Sequence, residues 1–124
     1  MTTWITICDT CKRENWAESG AELTDGEVFA AKIEAMAAAV PNIKTRRTSC
    51  LMGCTRACNV AIQGAGKLNY TLGSFDPDDE SAQGVVDYAA LHAQSETGQV
   101  PFRTWPVAIK GHFVTRHPAL PEDA

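Results

Sequence analysis

The sequence of 124 residues has no apolar run approaching the roughly 20 residues that a membrane span requires. Its first ten residues, MTTWITICDT, lack a positive segment followed by a long apolar one, so no secretory signal is expected. Both absences predict a cytoplasmic protein, and in that compartment thiols stay reduced. Positive charge is also in deficit. Eleven Lys and Arg stand against 15 Asp and Glu, for a net charge of −4. A phosphate backbone would meet net repulsion, so nucleic acid is not an expected partner. The short Lys44–Arg46–Arg47 cluster reads as a solvated strand edge ahead of an anion or partner patch. No Ser–His–Asp or Cys–His–Asn constellation can be assembled. Gly64-Ala-Gly66 is a turn and not a phosphate loop, and Asp76–Glu80 is a helix start and not a calcium loop. Catalysis is therefore not the first expectation.

Cysteine is scarce but not scattered. All five fall into two tight groups, Cys8 with Cys11 and Cys50 with Cys54 and Cys58. An odd number leaves a disulfide framework unbalanced, and a reducing compartment disfavours one. Each group stands where an apolar, β-type run meets a loop. Single free cysteines are commonly buried as small apolar groups. Five of five in two groups at strand ends point instead to thiolates gathered round one inorganic centre.

The chain predicts the order β-α-β-β-β-α, a small mixed sheet with two helices. Trp4–Cys8 is apolar and β-branched and reads as a strand. Thr24 and Glu27 fit a capping box, behind which Phe29, Ile33, Met36 and Val40 recur at helical spacing up to Pro41. Asn42–Thr48 reads as a second strand, and the connection is long enough to set it parallel to the first. Val60–Gln63 and Leu68–Leu72 form a hairpin about Gly64-Ala-Gly66. Asp76 is the expected N-cap of a second helix, with Pro77 in its first position and an apolar face of Val85, Tyr88, Ala89, Leu91 and His92. Residues 1–98 then form the domain. Residues 99–124, with four of the six prolines, read as an extension packing on it, through Phe102 and Trp105 among others. His92 reads as a packed or surface histidine and not a ligand, while His112 and His117 lie in the extension without ligand spacing.

C-x2-C and C-x3-C spacings each let one turn aim two thiolates at a common centre, so two such groups suffice for tetrahedral zinc or for an iron–sulfur cluster. Spacing alone leaves these open. Dithiol–disulfide exchange at Cys8–Cys11 is a third option. It is weakened because the nearest predicted helix start, Thr24, is distant in sequence from the thiols whose pKa it would have to lower.

The segment Arg47-Thr-Ser-Cys50-Leu-Met-Gly-Cys54-Thr-Arg-Ala-Cys58-Asn59-Val60 resembles the cysteine loop of thioredoxin-like 2Fe–2S ferredoxins. The whole chain is similar to short bacterial predicted metal-binding proteins of unknown function, often encoded beside cobalamin-biosynthesis genes. These share the two cysteine groups, a Lys-x-x-Tyr strand and the Asp-Pro helix start. The resemblance covers roughly residues 4–95. It implies a thioredoxin-like fold and a 2Fe–2S electron carrier, with a redox partner protein and a link to corrinoid metabolism. It also implies a homodimer. Cys8, Cys50 and Cys54 take ligand positions by the resemblance. The fourth falls to Cys11 or Cys58, and Cys11 is preferred because two groups of two divide a dinuclear cluster evenly. Cys58 is then a neighbouring or spare metal ligand. Gly53 would let the backbone pass close to the sulfurs. An acidic surface would steer the carrier to a basic partner. The alternative function is a zinc- or cobalt-binding or delivery protein using the same thiols without redox turnover.

Overall fold

The structure, a computed structural model, describes residues 2–52 and 56–121. Gly53 and Cys54 lie outside the described residues, and so does what the sequence predicts for them. The expected order is found, with one strand more. Strand β1 (Thr3–Cys8) leads to helix α1 (Asp25–Ala37), strand β2 (Ile43–Thr48), the hairpin β3 (Val60–Gly64) and β4 (Asn69–Leu72), helix α2 (Asp79–Gln94) and a final strand β5 (Phe113–His117). The five strands form one sheet in the order β2-β1-β3-β4-β5. β1 and β2 are parallel and the remaining pairs antiparallel. This is a small mixed α/β arrangement of thioredoxin-like type.

Alternation along the strands explains the layering. Ile5 and Ile7, Val60 and Ile62, Tyr70 and Leu72 point to one face, where they are buried with Phe29, Ile33, Val85, Tyr88 and Ala89 of the helices. α1 and α2 pack on each other and on β1 and β2. The opposite face carries Trp4, Lys44, Arg46, Gln63 and Thr71, and among the described residues no helix covers it.

α1 starts as its sequence dictates. The Thr24 hydroxyl accepts from the Glu27 amide at 3.0 Å, and the Glu27 carboxylate returns a bond to the Thr24 amide at 3.1 Å. α2 starts two residues later than expected. Asp78, not Asp76, is its N-cap, accepting from the Ser81 amide at 2.8 Å. Asp76 is drawn instead to Arg13, 2.9 Å away.

The proline-rich stretch is more than a cover. It adds β5 at the edge of the sheet, pairing Thr71 with Thr115 and Asn69 with His117. Trp105 stacks on Phe113 at 4.5 Å and meets Tyr88 edge-on at 6.0 Å, which fastens the stretch to the core. His92 is fully buried. It bonds the Thr3 hydroxyl through Nδ1 at 2.8 Å and the Leu68 carbonyl through Nε2 at 2.7 Å, so it is a core residue.

Candidate thiol centre

Three strand ends meet at Cys8. It closes β1 opposite Thr48, the last residue of β2, and its amide donates to the carbonyl of Asn59 at the mouth of β3 (3.2 Å). The loops at these ends are tied together. The Asp9 amide donates to Thr48 O at 3.1 Å, and the Thr10 hydroxyl donates to Ser49 O. The turn after β2 thus lies beside the first cysteine group, and the Leu51 backbone helps to lower the Cys8 pKa. Two loops some forty residues apart in sequence are joined beside a thiol.

The first group also rests on α1. The Gly26 amide donates to Cys11 O at 2.9 Å, and the Thr24 hydroxyl donates to Asp9 O. Arg13 binds Asp25 and Asp76 together, at 3.4 and 2.9 Å. The helix start that is remote from the C-x2-C pair in sequence is therefore adjacent in space. Its bonds, however, go to backbone carbonyls of the loop and not to the sulfurs.

Cys8, Cys11 and Cys58 are buried, and Cys50 is exposed. Cys54 is outside the described residues. Among the described residues no group of three or more His, Cys, Asp or Glu side chains is arranged to hold a metal ion. Burial pushes the Cys8 thiol up, but hydrogen bonds from Cys11, the Leu51 amide and Thr10 outweigh it and hold the group below its ordinary value. Burial, followed by the bond and charge of Cys8, pushes Cys11 up to about 12. Burial and the neighbouring Asp25 carboxylate push Cys58 to about 12 as well, with Arg13 opposing in part. Cys8 and Cys11 act as one pair. Cys58 lies in the apolar core, its backbone paired in both directions with Phe75 (3.2 and 3.4 Å), and feels that pair through its charge.

The donors round these sulfurs are those that thiolates accept. Asn59 aims Nδ2 at the Cys11 sulfur from 3.0 Å, and the Met52 amide reaches the Cys50 sulfur at 3.3 Å. Two described cysteines of the proposed ligand set, Cys11 and Cys50, thus accept a bond from an N–H group, and the Cys8 sulfur lies 3.6 Å from the Thr10 hydroxyl. Soft donors with such support suit iron–sulfur or zinc ligation. Buried thiols near 12 give up their protons only to a compensating cation. The cysteines present therefore fit such a group.

Asn59 was not singled out by sequence reasoning. The signal for it was a polar residue at the mouth of an otherwise apolar strand, directly after Cys58. His112 and His117 take no part: His112 stacks on Phe75 at 4.2 Å and bonds Gly73 O, and His117 bonds Thr71 and Thr115.

A family model described as a protein of unknown function (DUF1636) matches residues 5–119, taking in every cysteine and β5. No curated protein and no solved structure matches the chain.

Proposed function

The chain belongs to the DUF1636 family, and we propose that it is a one-electron carrier whose 2Fe–2S cluster is held by Cys8, Cys11, Cys50 and Cys54. The observation that carries this reading is the joining of the first and third loops beside Cys8, through the bonds from the Asp9 amide to Thr48 O and from the Thr10 hydroxyl to Ser49 O. When bound, the cluster would supply a reversible one-electron couple. The chain's own part is to ligate and tune. Cys8 and Cys11 would bind from the β1 end and Cys50 and Cys54 from the turn after β2, with Cys58 as a neighbouring thiol. The amides of Leu51 and Met52 and the Asn59 side chain would stabilise negative charge on the sulfurs. A redox partner protein would meet this end of the sheet, in the cytoplasm. None of the described helices is long and apolar enough to cross a membrane. A role in corrinoid metabolism rests on the resemblance alone.

Anaerobic purification, with iron and acid-labile sulfide assays and a visible spectrum, tests the reading. Equimolar iron and sulfide with absorption that dithionite bleaches is the expected result. A colourless protein with stoichiometric zinc would replace the cluster by a redox-inert metal. A second reading, dithiol–disulfide exchange, is favoured by one observation: Cys8 is held down and Cys11 is pushed up, which suits an attacking thiolate beside a protonated partner. It predicts metal-free protein with an oxidisable Cys8–Cys11 pair.

A further inference from the structure

We infer that the helix-free face of the sheet is a docking surface for an acidic protein partner. The five strands contain no Asp or Glu, although the chain has 15 of them. The 13 that are described lie on helices, turns and loops. On the open face, Trp4 is 37% exposed and stands between two cations, with Lys44 Nζ 5.6 Å and Arg46 Cζ 5.8 Å from its ring centre. Arg46 is held upright by neutral groups, its Nε on the Thr6 hydroxyl at 2.7 Å and its second nitrogen on Gln63 Oε1 at 2.9 Å. Neither Lys44 nor Arg46 has an ion-pair partner among the described residues. By contrast Arg47, on the other side of the same strand, is spent on Glu34 at 2.7 Å. Beside the Trp4 ring is a shallow depression of about 220 Å³, bounded by Arg46, Gln63 and Asn69.

An exposed tryptophan flanked by an ordered arginine is the residue chemistry of an interface anchor. The charge selects the partner. At physiological ionic strength fields are screened within about 8 Å, so an approaching surface meets Lys44 and Arg46 and not the net charge of the chain. A carboxylate-bearing surface is attracted. A second copy of this face would set the same cations against each other with no carboxylate to answer them. Single-stranded nucleic acid would find only one aromatic, where stacking platforms use several. Five strands about 4.8 Å apart and some five residues long present roughly 400 Å². That suits the small interfaces of transient redox encounters.

The position matters as much as the charge. Trp4, Thr6 and Cys8 follow each other at alternate positions of β1, so Arg46 on Thr6 stands about 7 Å along the strand from Cys8. That the docked partner exchanges electrons rests on the cluster reading above; that it is acidic does not. The partner's sign reverses the one expected from overall charge.

Titration of the ¹⁵N-labelled full chain with poly-L-glutamate, and separately with an oligothymidylate, followed by amide and indole shifts, tests the inference. Expected are poly-L-glutamate shifts at Trp4, Lys44, Arg46 and Gln63 that weaken with added salt. Binding should fall on the order of tenfold in Lys44→Glu, a solvent-exposed change, and further in Lys44→Glu/Arg46→Glu. Shifts confined to other surfaces, no binding, or tighter binding of the oligothymidylate would overturn it. Iron assayed on the same sample separates the two claims. Docking without iron leaves the surface standing, and iron without docking removes it.

Discussion

His92 shows how one residue can set a pH dependence far from the thiols. Burial lowers its pKa below the ordinary 6.5, and Lys67, itself buried against the carbonyls of His92 and Ala93, adds to the effect. The folded state thus holds the ring neutral while the unfolded chain protonates near 6.5. Its contribution is fully present above that pH and is lost progressively as pH falls below it. Urea unfolding at steps from pH 7.5 to 5 should show declining stability in the wild type. His92→Gln should be less stable at pH 7 by about 1–3 kcal/mol, yet flatter across this range. At the thiols, Cys11→Ser and Cys58→Ala should differ in kind. The first should abolish iron retention. The second should keep iron and cost about 1 kcal/mol of stability, because a small apolar group leaves the core. Loss of iron in the second and not the first would make Cys58 the ligand. Because Cys11 sits near 12, metal binding at neutral pH must displace its proton. Apparent affinity for added zinc, measured by chelator competition, should rise about tenfold per pH unit for each proton released.

At the scale of elements, the approach of α1 to the C-x2-C loop is the joint most open to test. A Cβ on Gly26 would overlap the Cys8 carbonyl and lie 3.0 Å from the Asp9 backbone. In an ordinary helix, Gly→Ala stabilises by up to about 1 kcal/mol. Here Gly26→Ala should instead destabilise by several kcal/mol, or push the loop off the helix, as a lowered urea midpoint with lost iron would show. Much of this element structure was legible. β1 and the Thr24–Glu27 box could be read because hydrophobic alternation and capping are local. The α2 start was misplaced because Asp76 and Asp78 are equivalent in local chemistry, and only Arg13, about sixty residues away, takes Asp76 out of the choice. β5 was missed for a similar reason. Phe113–His117 is an edge strand beside prolines, with one half-buried residue and four exposed, and only its pairing with β4 marks it. A chain ending at residue 98 should expose the β4 edge and the Tyr70 and Tyr88 rings that Phe113 covers. Loss of a cooperative unfolding transition in that truncation is the expected outcome.

Across the whole molecule the fold divides two charges and gathers one kind of atom. Among the described residues, carboxylates keep to helices and loops, two cations without ion-pair partners stand on the open sheet face, and three buried thiols collect where three strands end. The grouping of cysteines could be read from spacing, because short spacings confine thiols to one turn. That Cys58 lies beside the Cys8–Cys11 pair could not, since it depends on β1 pairing with β2 on one side and β3 on the other. Iron-edge X-ray absorption of the anaerobically purified full chain tests the shared centre most directly. The account predicts sulfur-only ligation with iron–iron scattering, both lost in Cys8→Ser and in Cys50→Ser alike. Oxygen or nitrogen ligation, or iron that survives the loss of either cysteine, would contradict it.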